Sequence, residues 1–478
     1  MSKRRTVKRS RNGCLSCKKL RIKCDESKPT CEYCLHTNRQ CIYTIPKLQE
    51  YLDTFTSSSD LLEAISNCEE LLSSTTSTAS VTTNTTNTTT TTTTTSINNN
   101  NNTTTTIMTE YSSPVEKDHL HRELILTQPT TILGISKFEL KLLKFYDYQC
   151  ISMFSYGHNQ EIHNTWKYKV PHLFIQSRLV RNSIFALASM VLQSTITPAF
   201  NDSLQIAQIQ NNLFNSTLEY FLDVLNQTKS IINGCPETID FQNVTTAKEL
   251  TVSSTILFTI LAINPNRLLP LISFDKSQSD FISISKGVVM IIAKASPIVF
   301  GSDLIGIIYY GTLNGVNPPN LNNPTFPIIK NLINDLNNNN NNSNNNIYDY
   351  SSSTYELLYE SLDILNKGMY ATQSFEFPVP FFRWINLISD DFRQLLYDQD
   401  EFALRLLFVF SSLCLYAGFS LNDEFNIWKD FIDWYKHDQE GKYNGQFKYL
   451  MDRKLYQLII VEKKRCNKFK EFPELDVN

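Results

Sequence analysis

The sequence predicts a chain of two unlike folded parts, a small metal-stabilised domain and a large all-α unit, joined by a disordered linker. Three observations predict it. Six of the eleven cysteines fall between residues 14 and 41 at a repeated spacing. Residues 73–107 are almost wholly Thr, Ser and Asn. From Ser136 onward the chain carries helix-start patterns and 3.6-residue apolar periodicity, with few alternating strand runs. A length of 478 residues suits two or three units better than one.

Charge is distributed just as unevenly. The whole chain sums to −3, but residues 1–46 set twelve Lys or Arg against Asp25, Glu26 and Glu32, a net +9. The other 432 residues therefore carry −12. A basic head on an acidic body suits a protein that offers one end to a polyanion and the other to different partners. The opening "MSKRRTVKRSRNG" has charge but no apolar core behind it, unlike a secretory signal. The most apolar later run, Phe402 to Phe419, contains Arg405 and two serines, which suits a buried helix; no membrane span is expected. In an intracellular chain the cysteines are expected as reduced thiols or metal ligands.

The first element is residues 1–46. Its cysteines run Cys14-x2-Cys17-x6-Cys24-x6-Cys31-x2-Cys34-x6-Cys41, one half-motif written twice. A Cys-x2-Cys turn lets two sulfurs converge on one ion, and thiolates favour tetrahedral zinc. Two closed zinc sites need eight ligand contacts, and six cysteines meet that number only if two sulfurs are shared, one from each half. So few apolar residues lie between the cysteines that metal binding must supply the folding energy. Between Cys17 and Cys24 runs "KKLRIK", whose Lys and Arg side chains can donate to guanine O6 and N7 in a major groove or hold phosphates. Ahead of the cluster, Lys3, Arg4, Arg5, Lys8, Arg9 and Arg11 form a basic arm suited to a phosphate backbone, to nuclear import, or to both.

On these residues, 10–43 resemble the DNA-binding domain of the fungal Zn2Cys6 binuclear zinc-cluster transcription factors. Pro29 between the halves and Asp25 after the third cysteine also match that family's pattern. The resemblance implies two zinc ions bridged by Cys14 and Cys31, with Cys17 and Cys24 completing one site and Cys34 and Cys41 the other. It implies double-stranded DNA as partner and the nucleus, with shuttling from the cytoplasm, as location. The base-reading position falls on Arg21, framed by Lys18, Lys19 and Lys23, with Arg9 and Arg11 on the flanking backbone. Leu20 stands where the family usually has a second basic residue, and a CGG-like element is the expected target.

The linker is residues 47–135. Residues 48–72 place Leu48, Phe55 and Leu62 on one heptad seam and Tyr51, Ile65 and Leu72 on the other, spoiled by Ser58 and Glu69. This segment is a candidate short dimerisation helix, which would make a homodimer, or a plain amphipathic linker helix. The Thr/Ser/Asn run after it cannot bury enough apolar surface to order itself.

The last element, residues 136–470, is expected to be all-α. "SKFE" from Ser136 is a capping box opening a helix with Leu142, Leu143 and Phe145. Residues 178–194 put Val180, Ile184, Leu187, Ala188 and Val191 on one face; the next helix carries Ile206, Ile209, Leu213, Phe221 and Leu225. Further helices are expected after Ser253, around 355–365, at 402–419, 425–435 and 449–464, with an Asn-rich loop at 337–346. Trp166 with "VPHLF", "SIFALASMVL", "DFISISKG" and "IWKDFIDWYK" loosely resemble the regulatory domain of the yeast sterol-uptake regulators. That resemblance implies a small hydrophobic ligand and regulation of sterol or lipid genes, but assigns no contact residue. The aromatic residues either line an apolar pocket or fill the core. Acidic–aromatic stretches such as "EFPELD" and "SDDFRQLLYDQDEF" suit coactivator or corepressor recruitment or solvated helix ends. No nucleophile elbow, Gly-rich phosphate loop or His-Glu-x-x-His helix is present, and no catalytic residue is expected.

Overall fold

The computed structural model describes residues 15–37, apart from 21 and 26–30, and 133–475, apart from 157–158, 196–202, 234–242, 276, 309–316, 342–350 and 474. The expected helix at 48–72 and the low-complexity run lie outside the described residues. Within them there are helices and turns and no strand.

The amino-terminal part is two short helices, α1 (Leu15–Lys19) and α2 (Glu32–His36). Each begins one residue after the first cysteine of its half-motif. Among the described residues, the apolar neighbours packed against its four buried cysteines are Ile22 and Tyr33. Such a core buries too little surface to hold a fold by itself.

The large unit opens with α3 (Lys137–Phe145), capped as the sequence predicts. Glu139 donates its amide to Ser136 Oγ at 3.1 Å, and Ser136 donates its own to Glu139 Oε2 at 2.6 Å. Two short helices follow, α4 (Ile151–Ser155) and α5 (Gln160–Asn164), then α6 (Val170–Gln176). Wide five-residue turns precede α4 at Tyr146–Cys150 and α6 at Thr165–Lys169. The second brings Trp166 flat against Phe154, ring centroids 3.8 Å apart.

Next come α7 (Arg178–Thr195) and α8 (Ser203–Asn233), packed together with a buried Ser189–Thr217 hydroxyl bond of 2.8 Å between them. All five predicted α7 positions are buried, and so are Phe185, Ala186 and Met190, so the helix is enclosed on nearly every side. On α8, Leu213, Phe221 and Leu225 are buried as expected. The following pair, α9 (Val244–Ile263) and α10 (Phe281–Phe300), pack on each other. Both are long and apolar enough to cross a membrane by length and composition, with 67% and 44% of the relevant window buried. Helix α9 starts ten residues before the predicted point because Asn243 caps it, accepting from the amides of Thr245 and Thr246.

After α11 (Ile305–Ile308) comes α12 (Pro327–Asn341), which corrects the expected loop at 337–346: its first five residues are helical. The reason is packing ahead of them. Ile328, Ile329, Leu332 and Leu336 are buried, and Tyr355 donates to Asn337 Oδ1 at 2.9 Å. Then follow α13 (Ser352–Phe375), α14 (Val379–Phe382), α15 (Trp384–Leu387) and α16 (Asp390–Tyr397). Gly368 of α13 lets the chain at α14 approach, since a Cβ there would stand 3.1 Å from the Pro380 carbonyl oxygen.

The central rod is α17 (Glu401–Tyr416), with every residue from Phe402 to Tyr416 buried. It is flanked by α18 (Ile427–Lys442) and α19 (Leu450–Tyr456). Arg405, fully enclosed on α17, bonds Asp452 at 2.9 Å and Asp335 at 2.8 Å; Tyr435 also donates to Asp452 at 2.9 Å. Its guanidinium lies 3.5 Å from the Tyr449 ring centroid. Burial pushes the Asp452 carboxyl up, while Arg405 opposes that rise. One cation thus ties α17 to α12 and α19, and Asp452 extends the link to α18 through Tyr435.

Aromatic side chains mostly meet one another: Phe381 touches Phe410 and Phe472, Phe382 stacks on Phe419, and Phe410 meets Trp384 and Trp428. The "EFPELD" end joins this core, because Phe472 is wholly buried and Phe469 and Leu475 nearly so. Phe392, Leu396 and Phe402 of the other acidic–aromatic stretch also point inward. Burial pushes the Cys150 and Cys414 thiols up, which makes them inert core groups.

Candidate metal centre and nucleic-acid interface

The geometry around the cysteines is built from the two half-motifs. In α1, Cys17 faces inward, and its carbonyl accepts the Ile22 amide at 3.1 Å, turning the chain back toward Cys24. In α2, Cys31 is the N-cap: its sulfur accepts the amide of Cys34 at 3.4 Å. Cys17, Cys24, Cys31 and Cys34 are at most 2% exposed.

The sulfurs of Cys17, Cys24 and Cys31 lie within 4.8 Å of one another, and Cys17 and Cys31 stand 3.6 Å apart. Four thiolates placed tetrahedrally at zinc's usual bond length sit roughly 3.8 Å from each other. A disulfide would need roughly 2.05 Å. The set therefore fits a metal ion and not a covalent bridge. It also unites sulfurs from both halves, since Cys31 belongs to the second.

Among the other predicted residues, Lys19 and Lys23 are exposed, on α1 and just beyond it. Lys18 is placed in α1 by its backbone. Cys14, Cys41, Arg9, Arg11 and Arg21 lie outside the described residues. Around the cluster, Leu20 is 39% and Leu35 67% exposed, so neither supplies core to this part.

Sequence reasoning did not assign Asp25 a structural partner. Its carboxylate accepts the amide of Glu32, at 3.1 and 3.2 Å to its two oxygens. The only available signal was its place directly after Cys24. In the large unit, one cleft of about 640 Å³ is lined by Tyr355, Tyr359, Glu356, Glu360 and Asp363 among others. Another, of about 340 Å³, is lined by Arg178, Arg181, Glu139, Glu219 and Asp223 among others. Charged groups make up most of the second; the first mixes three carboxylates with Leu321, Ile333 and two tyrosines.

Residues 12–50 match the family model of the fungal Zn(2)-Cys(6) binuclear cluster domain. The amino-terminal part is such a domain, and its cofactor is a pair of zinc ions. The chain's relatives are fungal transcription regulators. It is 62% identical over 42 residues to a lysine biosynthesis regulatory protein of Saccharomyces cerevisiae, covering 8% of this chain and 5% of the relative. It is 54% identical over 43 residues to white-opaque regulator 2 of Candida albicans, covering 9% and 10%. Sterol uptake control protein 2 of Candida albicans is 44% identical over 52 residues, covering 11% and 7%. The chain thus spans a tenth or less of the length of each of these relatives. No solved structure matches it.

Proposed function

We propose that this chain is a sequence-specific DNA-binding transcription factor that regulates RNA polymerase II transcription in the nucleus through its binuclear zinc cluster. The observation that carries this reading is the convergence of buried sulfurs from both half-motifs beside exposed lysines. In this reading Cys14 and Cys31 bridge two zincs, Cys17 and Cys24 complete one site, and Cys34 and Cys41 the other. Zinc supplies rigid tetrahedral nodes to a peptide too poor in apolar residues to fold without them. The chain's own groups do the rest. Arg21 reads a guanine edge of a CGG-like element, while Lys18, Lys19, Lys23, Arg9 and Arg11 hold phosphates and set register.

Selecting duplexes with the purified chain, first in zinc and then in chelator, tests this. The expected result is one recurrent triplet, bound only with metal. Arg21→Ala should cost about 1–3 kcal/mol and blur the preferred base, whereas Lys23→Ala should weaken all sites alike and lower the salt slope by about one. Affinity that survives removal of the metal would refute the reading.

A second reading concerns control. Two relatives bear the name sterol uptake control protein 2, from Candida albicans and Saccharomyces cerevisiae. Their likeness supports sterol or lipid genes as targets, with the helical unit gating DNA binding by a hydrophobic ligand or recruiting a corepressor. Residues 107–478 fused to a foreign DNA-binding domain, driving a reporter in sterol-replete and in sterol-depleted cells, decide: unchanged output removes the sensor.

A further inference from the structure

The two half-motifs share their spacing but differ in the residue after the last cysteine. Asp25 stands behind Cys24; Ile42 holds the matching position behind Cys41. Asp25 sits astride the Glu32 amide, its two oxygens 3.1 and 3.2 Å from that nitrogen. Glu32 is the first residue of α2, directly after Cys31. Two amides of the first turn of α2 are therefore held by different means. Cys34 gives its amide to the sulfur of Cys31 within the second half, and Glu32 gives its own to a carboxylate of the first.

A charged acceptor makes the stronger kind of hydrogen bond, and a carboxylate at a helix start also meets the positive end of its peptide dipoles. Around this bond there is almost no apolar packing to do the same work: among the described residues, Ile22 and Tyr33 alone lie against the cysteines. The link therefore bears on the relative placement of the halves more than it would in a domain with a core.

We propose that Asp25 is a positioning residue of the metal centre: by accepting the Glu32 main-chain N–H it fixes α2 against the first half, slows zinc loss and holds the DNA-binding geometry. This rests on the zinc-cluster reading above. Asp25 is not a ligand in it, and acts through Cys31 and α2.

The test compares the full-length chain with D25A and D25N, each loaded with zinc. Three readouts apply: zinc per chain, the rate of zinc transfer to a chromogenic chelator, and the visible spectrum after cobalt replacement. Loss of a hydrogen bond to a charged group predicts about tenfold faster zinc release and about tenfold weaker duplex binding for D25A, with two zincs still bound. Its cobalt bands should shift, because the ligand geometry relaxes. D25N keeps one acceptor oxygen and should fall between D25A and the parent chain. If D25A fails to hold metal, D25N decides alone: two zincs bound with release faster than the parent's is the supporting result, and release at the parent rate overturns the proposal. D25A matching the parent in release rate and spectrum at two zincs per chain overturns the proposal, as does D25N behaving like D25A. A parent chain that holds no zinc overturns both this proposal and the reading beneath it.

Discussion

Replacing Arg405 with Met would test whether one buried cation organises the helical unit. Arg405 and Asp452 are both fully enclosed, while Asp335 keeps 30% of its side-chain surface in water. Met fills similar volume without charge, so it leaves Asp452 buried with Tyr435 as its remaining side-chain donor. Truncating one partner of a buried ion pair costs about 3–5 kcal/mol, because the surviving charge has lost its solvent and its counter-ion. Asp335 adds little to that sum, since water replaces its partner. In R405M/D452L the stranded carboxylate is gone, and the double variant should lose no more than about 1–2 kcal/mol. With D452L also leaving a buried charge behind at a cost of about 3 kcal/mol or more, a coupling of at least about 4 kcal/mol between the two sites is expected. All four tryptophans, Trp166, Trp384, Trp428 and Trp434, lie in the helical unit. Urea unfolding followed by their fluorescence thus reports this unit without the zinc cluster. A loss below about 1 kcal/mol for R405M, or a double variant equal to the sum of the singles, would refute the reasoning.

Two further outcomes are set by the packing. Gly306 lies so close to α5 and the turn after it that a Cβ would overlap Thr165 Oγ1, so G306A should cost about 1–3 kcal/mol in the same urea assay, and adding T165A should recover most of it. Asp280 caps α10 and accepts from Ser283, Ser273 and Tyr397, yet burial raises its carboxyl above the usual value. The folded state therefore holds that proton more tightly than the unfolded chain. Its contribution is fully present below the unfolded value of about 3.9 and is lost as pH rises through the raised folded value. Thermal melts from pH 3 to 7 should show the parent chain losing ground to D280N as pH increases; parallel curves would contradict this.

Legibility varies with how local the cause is. The capping box at Ser136 and Glu139 is a four-residue interaction, and it stands as read. Helices are expected around 355–365, 402–419 and 425–435, and α13, α17 and α18 stand there. Helix α9 begins earlier than its pattern suggests because its first turns, "VTTAKELTVS", are rich in polar residues and open at the Asn243 cap, ahead of the apolar run. For α10, the first residues, "DFISISKG", stand out in the sequence only through a resemblance. The Asn run at 337–341 shows the opposite failure. Its composition speaks for a loop, but the buried turn before it and Tyr355 extend the helix. "EFPELD" is open, in sequence, between recruiting partners and ending a helix; in the fold Phe472 and Leu475 are core residues.

By itself, the sequence determined the metal chemistry, because ligand spacing within one short segment limits which sulfurs can meet on an ion. It also determined the helical class and the partition of charge, both set by neighbours along the chain. Only the tertiary structure decided that Asp25 reaches Glu32, that one arginine joins three helices, and that Phe469 and Phe472 close the core. Those pairs lie seven to 70 residues apart or more. Nothing in the pattern of either partner names the other until the chain has folded back upon itself.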